Sequence, residues 1–284
     1  MNQANRTNRA TRRVRPGVGW GIVAALSLLL IVATSWAFVR GPLSGWLSHY
    51  AAASDTTDDN AARDGKGEVP PIDAAAPEKT ETATFALGCF WHPDSQFGVL
   101  PGVVRTRVGY AGGTKVDPTY HDLGNHAETI QIDFDPEKIT YEQLLDSFFT
   151  LHNPCTRSFS SLQYRSAIFV HGDEQRKAAE AAKEKYAAKE GRTVLTAILP
   201  AGKFYLAEDY HQKYLLKRKK KLYAELARYY PDESDFINST AVARACGYID
   251  GNGTAEALEA EIDSLGLSDE AKEILRGEHK ARTH

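Results

Sequence analysis

The sequence has 284 residues, which is enough for one sizeable domain with additional segments. Its composition is that of a globular protein, with 42% hydrophobic and 25% charged residues, and its formal net charge of -3 argues against a nucleic-acid-binding protein, which would be strongly basic. The cysteines number three and form no CxxC motif, so neither a disulfide scaffold nor a structural zinc site is indicated.

The N-terminal region has the pattern of a membrane anchor. Residues 1–17 contain five arginines and no acidic residue, and residues 18–39 are uncharged and rich in Leu, Ile, Val and Ala. About 20 apolar residues span the hydrocarbon core of a bilayer, and basic flanks stay in the cytoplasm. We therefore predict a basic cytoplasmic N-terminus (1–17) and an uncleaved, single-pass transmembrane helix (18–39), with the rest of the chain on the outer, periplasmic side.

Two alternatives to an uncleaved anchor remain open at this point. The run Ala51-Ala52-Ala53 could serve as the cleavage site of a secretory signal peptide, which would release the protein. An Arg-rich start without acidic residues is also typical of a mitochondrial presequence.

Residues 40–81 are predicted to be a flexible linker. From residue 51 onwards this segment consists mainly of Ala, Asp, Thr, Gly and Pro, with almost no large apolar side chains. Such a segment cannot bury enough apolar surface to offset the entropy lost on ordering. It would tether the following domain to the membrane.

Cys89 lies between a predicted strand over residues 82–87 and a predicted helix that opens near Pro93. A cysteine at this junction faces the N-terminus of the helix, whose partial positive charge favours the thiolate. The alternative is that Cys89 only fills space in the core, as most buried cysteines do.

The periodicity from residue 82 onwards predicts an α+β domain. Strands are expected at 104–110, 127–134, 164–170 and 193–199, and helices at 141–148 and 173–190. The resulting order, β-α-β-β-α-β followed by a further helix and strand, fits a two-layer domain of split-βαβ (ferredoxin-like) type.

The last part of the chain, residues 217–284, is predicted to be a small helical extension. The basic run 217–221 is interpreted as the solvated face of a helix. A glycine-rich loop over 246–253 is expected to precede two short helices at 255–265 and 268–276.

Ordered motifs between residues 82 and 216 are similar to one known family. They are Gly88-Cys89-Phe90-Trp91, Leu100-Pro101-Gly102-Val103-Val104, Val108-Gly109-Tyr110-Ala111-Gly112-Gly113, Pro118-Thr119-Tyr120, His126-Ala127-Glu128, Gln163-Tyr164-Arg165-Ser166, Phe204-Tyr205 and Tyr210-His211-Gln212-Lys213-Tyr214. This set resembles the A-type peptide-methionine sulfoxide reductases. The resemblance implies a catalytic domain over 82–216 that reduces the S epimer of methionine sulfoxide, mainly in proteins.

Reduction of a sulfoxide needs a nucleophile for sulfur, a proton for the departing oxygen and an apolar socket for the methyl group. Cys89 supplies the nucleophile, because the thiolate is the reactive form of cysteine. Phe90 and Trp91 would form the socket, with sulfur and methyl against their rings. No metal and no organic cofactor is required for this chemistry.

The resemblance also assigns roles to three polar residues. Glu128 stands where the family carries its proton donor, and a carboxyl beside aromatic walls should have a raised pKa. Tyr120 and Tyr164 match the two family tyrosines that hydrogen-bond the sulfoxide oxygen.

Attack by Cys89 would leave a sulfenic acid, which condenses with a second thiol and is then restored by a thioredoxin-like dithiol. We expect Cys246 to be this resolving thiol, since its predicted loop is rich in glycine and therefore able to move. Cys155 is the rival.

The sequence departs from the family pattern at two places that concern the site. Asp94 stands where the family usually has Glu, and residues 154–162 lack the Gly-Asn-Asp run of many members.

Two other functions compete with the reductase. Cys89 could act in a thiol hydrolase with His126, His152 or His211 as base, although only His92 is close to it in sequence. The second competing function is that of a membrane-tethered binding module that uses the aromatic pocket.

Overall fold

The site is organised around β1 (Glu81–Leu87), a central strand of a six-stranded mixed sheet. The computed structural model describes residues 69–156 and 161–283 of the chain. The other strands are β2 (Val103–Ala111), β3 (Ala127–Phe134), β4 (Ser166–Val170), β5 (Ala197–Pro200) and β6 (Tyr205–Leu206). Their order is β5-β4-β1-β3-β2-β6, and every neighbouring pair is antiparallel except β4 and β5.

The helices fall into two groups along the chain. The first group is α1 (Pro71–Ala74), α2 (Trp91–Gly98), α3 (Tyr141–Leu151) and α4 (Asp173–Glu190). The second group is α5 (Tyr214–Lys217), α6 (Lys220–Ala227), α7 (Glu233–Ile237), α8 (Thr240–Tyr248), α9 (Ala255–Glu261) and α10 (Asp269–Arg282). The succession β1-α2-β2-β3-α3-β4, followed by α4 and β5, has the predicted order, so the structure is of the α+β class.

One hydrophobic core lies between the sheet and helices α3 and α4. Phe85 of β1, Ile130 of β3 and Ile168 of β4 are fully buried there, together with Phe148 of α3. The N-terminus of helix α3 is stabilised by a capping box of Thr140 and Gln143, in which each side chain bonds the backbone N–H of the other residue. This core fixes the end of β1, where Cys89 follows.

A second core is formed by the C-terminal helices, which pack against α2. It buries Val99, immediately after α2, with Leu222, Cys246 and Leu275. Helix α8 approaches α2 very closely, because a Cβ atom on Gly98 would lie 2.8 Å from the carbonyl oxygen of Ala243. Helix α2 is thus held between the sheet and α8, and the described residues belong to one compact unit.

The end of the predicted linker is folded. Residues 71–74 form α1, and Ile72 packs against the second core. The Asp73 carboxylate accepts hydrogen bonds from Tyr230, from Ser239 and from the backbone N–H of Thr240 at the start of α8. The prediction of flexibility is therefore wrong for this short stretch.

The basic run 217–221 does not form one solvated helical face. Helix α5 ends at Lys217 and α6 begins at Lys220. Three of its lysines contact carboxylates elsewhere in the chain: Lys217 with Glu233, Lys219 with Glu278 and Lys221 with Glu270.

The predicted membrane anchor needs a correction. Within residues 69–156 and 161–283, no helix is both long enough and apolar enough to cross a membrane. The segment 18–39, on which the prediction depended, lies outside the described residues. The predictions of a transmembrane helix in the fold and of a location on the outer side of the membrane are therefore withdrawn.

Candidate active site

Cys89 lies in the turn that connects β1 to α2. Gly88 has a φ of 104°, a left-handed conformation that glycine adopts without strain, and it turns the chain out of the sheet. Helix α2 begins at Trp91, so Cys89 stands just before its first turn. The thiol is free and partly exposed, as a nucleophile requires.

The pKa of Cys89 differs from the expectation. Burial raises the pKa of the thiol, a backbone hydrogen bond from Trp91 lowers it, and the nearby Glu128 carboxylate raises it. The net shift is upward, because desolvation of the thiolate outweighs the backbone hydrogen bond that the first residue of α2 provides.

Glu128 is almost fully buried beside Cys89. It lies on β3 opposite Tyr110 of β2, with a relative exposure of 2%. Its Oε2 accepts a hydrogen bond from the backbone N–H of Phe90 at 3.0 Å, and its Oε1 accepts one from Nε2 of Gln163 at 2.7 Å. Burial raises the pKa of the carboxyl, while these two donors lower it, and the net direction is upward as expected for a proton donor.

Tyr120 and Tyr164 lie close to each other beside Cys89 and Glu128. Tyr164 lies near Tyr120, Glu128 and Cys89; burial, with these neighbours, raises the pKa of its hydroxyl to about 12. The backbone N–H of Tyr120 donates to Glu208 at 2.9 Å. The structure therefore brings Cys89, Glu128, Tyr120 and Tyr164 together.

The aromatic residues after Cys89 are held in fixed orientations. The ring of Phe90 is buried and meets the ring of His211 edge-on, at a centroid distance of 5.0 Å. Trp91 stacks on Tyr214 with centroids 3.8 Å apart and planes 9° apart. Its indole N–H donates to Nδ1 of His211 at 3.2 Å.

The contacts of three residues in this arrangement were not predicted from the sequence, although all three residues belong to the quoted motifs. Gln163 donates to Glu128, His211 accepts the indole N–H of Trp91, and Lys213 forms a buried ion pair with Asp94. His211 is 1% exposed, and its Nε2 atom has no hydrogen-bond partner among the described residues. A single sequence does not show which side chains such polar residues will contact in the fold.

The second thiol is not where it was expected. Cys246 lies inside α8, not in a loop, and is fully buried in the second core. Burial raises the pKa of its thiol, which disfavours the thiolate. Cys155 is partly buried and follows α3, so the placement of the two cysteines disfavours Cys246 and leaves its rival open.

A metal ion has no evident place in the part of the chain that the structure describes. No group of three or more His, Cys, Asp or Glu side chains lies close enough there to hold one.

Comparison with known proteins gives a consistent result. The family described as peptide methionine sulfoxide reductase matches residues 81–244. The chain is 43% identical over 201 residues to peptide methionine sulfoxide reductase A5 of Oryza sativa subsp. japonica, covering 68% of this chain and 78% of that protein. It is 46% identical over 154 residues to peptide methionine sulfoxide reductase MsrA of Methanoculleus marisnigri, covering 50% of this chain and 94% of that protein.

Among solved structures, Mxr1 of Saccharomyces cerevisiae in its reduced form is similar, with a TM-score of 0.48 and 33% identity over 51% of this chain and 89% of that chain. The family match covers more than half of the chain and includes the turn with Cys89, the strand with Glu128 and both tyrosines. The chain therefore belongs to the peptide methionine sulfoxide reductase family and is an oxidoreductase that reduces methionine sulfoxide.

Proposed function

We propose that this enzyme reduces the S epimer of methionine sulfoxide in proteins, with Cys89 as nucleophile and Glu128 as proton donor. The observation that carries the proposal is the hydrogen bond from the backbone N–H of Phe90, the residue next to Cys89, to the Glu128 carboxyl. The same contact holds the carboxyl beside the thiol. Free methionine sulfoxide is a second possible substrate.

The first step is a transfer of oxygen from sulfur to sulfur. Cys89 attacks the sulfoxide sulfur while Glu128 gives a proton to the sulfoxide oxygen, and Tyr120 and Tyr164 hydrogen-bond that oxygen. This attack forms a bond between the Cys89 sulfur and the substrate sulfur. The protonated oxygen then passes to the Cys89 sulfur as the S–O and S–S bonds of the substrate sulfur break, which releases methionine and leaves the sulfenic acid of Cys89. Phe90 and Trp91 would enclose the methyl group, and chirality follows because methyl, oxygen and side chain need three different subsites.

The second step restores the thiol. A thiol condenses with the sulfenic acid to a disulfide and releases water, and a dithiol then reduces this disulfide by exchange. A thioredoxin-like protein would supply this dithiol. The dithiol is oxidised, and Cys89 returns to its reduced form.

The geometry of the histidines argues against a thiol hydrolase. Both ring nitrogens of His126 bond backbone groups of the loop before it. Those of His152 bond the carbonyl of Phe148 and the hydroxyl of Ser166, and burial lowers the pKa of His152 to about 4. Neither ring is directed to Cys89 by these bonds, and Nδ1 of His211 is taken by Trp91.

The decisive experiment measures turnover of the two separated epimers with a dithiol reductant. We expect reduction of the S epimer only, and loss of the reaction in Cys89→Ser but not in Cys155→Ser with a small dithiol. Equal rates on both epimers would contradict the stereochemical proposal. Hydrolysis of activated esters without sulfoxide turnover would favour the hydrolase.

A further inference from the structure

Gln163 lies in the short 3-10 turn Leu162–Tyr164, immediately before β4, and reaches the buried carboxyl of the site. Its Nε2 donates to Oε1 of Glu128 at 2.7 Å, while the N–H of Phe90 donates to Oε2 at 3.0 Å. Each carboxyl oxygen therefore has one N–H donor, and one of the two donors comes from a side chain.

The turn that carries Gln163 is itself held in place. The hydroxyl of Ser161 accepts the backbone N–H of Gln163 at 3.2 Å. On the other side, Arg165 donates to the carbonyl oxygens of Gly112 and Asn125, which flank the loop between β2 and β3. The amide is thus presented to Glu128 by a braced segment, in the region where the chain lacks the Gly-Asn-Asp run.

We propose that Gln163 is a positioning residue that orients the Glu128 carboxyl and decides which protonation state of that carboxyl prevails before substrate binds. The proposal rests on the role of Glu128 as proton donor. Gln163 touches neither the nucleophile nor the reacting atoms in this scheme, and it acts only through Glu128.

The physical basis is that an N–H donor stabilises a carboxylate more than a carboxylic acid. Burial raises the pKa of Glu128, and the donors from Phe90 and Gln163 oppose this rise. The other titratable groups that face the carboxyl are the thiol of Cys89 and the hydroxyls of Tyr110 and Tyr164. Their pKa values are raised too, so they stay neutral while the carboxyl titrates.

A pH profile can detect this effect. The reactive state is the minor form of the singly protonated pair, in which Cys89 is the thiolate and Glu128 is protonated. The rate of methionine release should therefore be bell-shaped in pH, with a lower limb set by Glu128 and an upper limb set by Cys89. Removal of the Gln163 donor raises the pKa of Glu128, so it moves the lower limb upward by about one pH unit and leaves the upper limb in place.

The experiment compares the full-length protein with Gln163→Met, which keeps the length of the side chain and removes the amide. Methionine release from the S-epimer peptide is followed in a single turnover without reductant, between about pH 4 and pH 10. Gln143→Met is the matched control, because Gln143 only caps the exposed start of α3. A ¹³C NMR titration of the Glu128 carboxyl, identified by its absence in Glu128→Gln, gives the same midpoint without any need for activity.

We expect an upward shift of the lower limb and of the NMR midpoint in Gln163→Met, and no shift in the control. An unchanged NMR midpoint in folded Gln163→Met overturns the proposal, even if that variant is inactive. If the wild-type protein releases no methionine from the peptide at any pH, the proposed function fails instead, and the NMR titration still decides the role of Gln163.

Discussion

The Nζ atom of Lys213 lies 2.7 Å from Oδ1 of Asp94, and both side chains are closed off from solvent, with exposures of 0% and 2%. The ammonium also donates to the carbonyl and the hydroxyl of Thr106 on β2. Asp94 belongs to α2, so this ion pair joins the helix that follows Cys89 both to the sheet and to the segment that carries His211.

We predict that Lys213→Met strongly destabilises the protein, because it leaves the Asp94 carboxylate buried without its cation. Removal of one partner of a buried ion pair costs about 3–5 kcal/mol of the free energy of unfolding. Urea denaturation measures this loss. Lys220→Met is the control, since Lys220 is exposed at the start of α6.

The double variant Lys213→Met/Asp94→Leu tests the reason for this loss. It should recover much of the stability, because it removes the uncompensated charge along with its partner. A single variant no less stable than the Lys220→Met control would show that the pair contributes little.

The Asp73 carboxylate should contribute to stability in a way that the linker sequence does not suggest. It accepts hydrogen bonds from the hydroxyls of Tyr230 and Ser239 and from the backbone N–H of Thr240, the first residue of α8. We predict that Asp73→Ala lowers the free energy of unfolding by about 1–3 kcal/mol, since these donors lose their acceptor. The midpoint of thermal unfolding measures this loss of stability, and Glu78→Ala, at an exposed position, is the control. Equal midpoints for the two variants would refute this role of Asp73.

The reactivity of Cys89 should depend on pH in a direction that Glu128 controls. Burial and the Glu128 carboxylate both raise the pKa of the thiol, so alkylation by iodoacetamide at neutral pH should be slower than for an unfolded peptide thiol. Glu128→Gln removes the negative charge, and the alkylation midpoint should then move to lower pH. A midpoint that stays in place or rises would contradict the electrostatic coupling, and Glu142→Gln on the exposed side of α3 controls for remote charge.

The sheet could be predicted from the sequence because its pattern is local. A short apolar run predicts β1 and the alternation of apolar residues predicts β3. The register that pairs Phe85 with Ile130 brings Glu128 level with Leu87, two residues before Cys89. That register is a long-range property, however, and alternation does not specify it. The meeting of Cys89 with Glu128 was therefore expected from the family resemblance alone.

The C-terminal helices show why the packing of Cys246 and its neighbours could not be predicted from the sequence. Gly247 was interpreted as a source of loop flexibility next to Cys246. In the structure it allows close packing instead, because a Cβ atom at this position would lie 2.7 Å from the carbonyl oxygen of Ser95 on α2. A glycine needed for close approach and a glycine needed for a flexible loop look the same in one sequence.

The position of Cys155 leads to the last prediction. Ser166 at the start of β4 pairs with Leu87 at the end of β1, and His152 bonds the hydroxyl of Ser166. The segment that continues from His152 to Cys155 therefore starts at the end of the sheet where Cys89 lies. We propose Cys155 as the resolving thiol, because Cys246 is fully buried inside α8, whereas Cys155 is partly exposed.

Without reductant, Cys155→Ser should release one methionine per enzyme and form no intramolecular disulfide, whereas Cys246→Ser should still form it. With a thioredoxin-like donor, turnover by Cys155→Ser should fall at least about tenfold, because the donor attacks a disulfide better than it reaches the recessed sulfenic acid. With a small dithiol the loss should be much smaller. Mass spectrometry of the oxidised protein identifies the disulfide directly. A Cys89–Cys246 bond would restore the assignment made from the sequence, and full turnover of the Cys155→Ser/Cys246→Ser double variant would mean that the donor reduces Cys89 without an internal thiol.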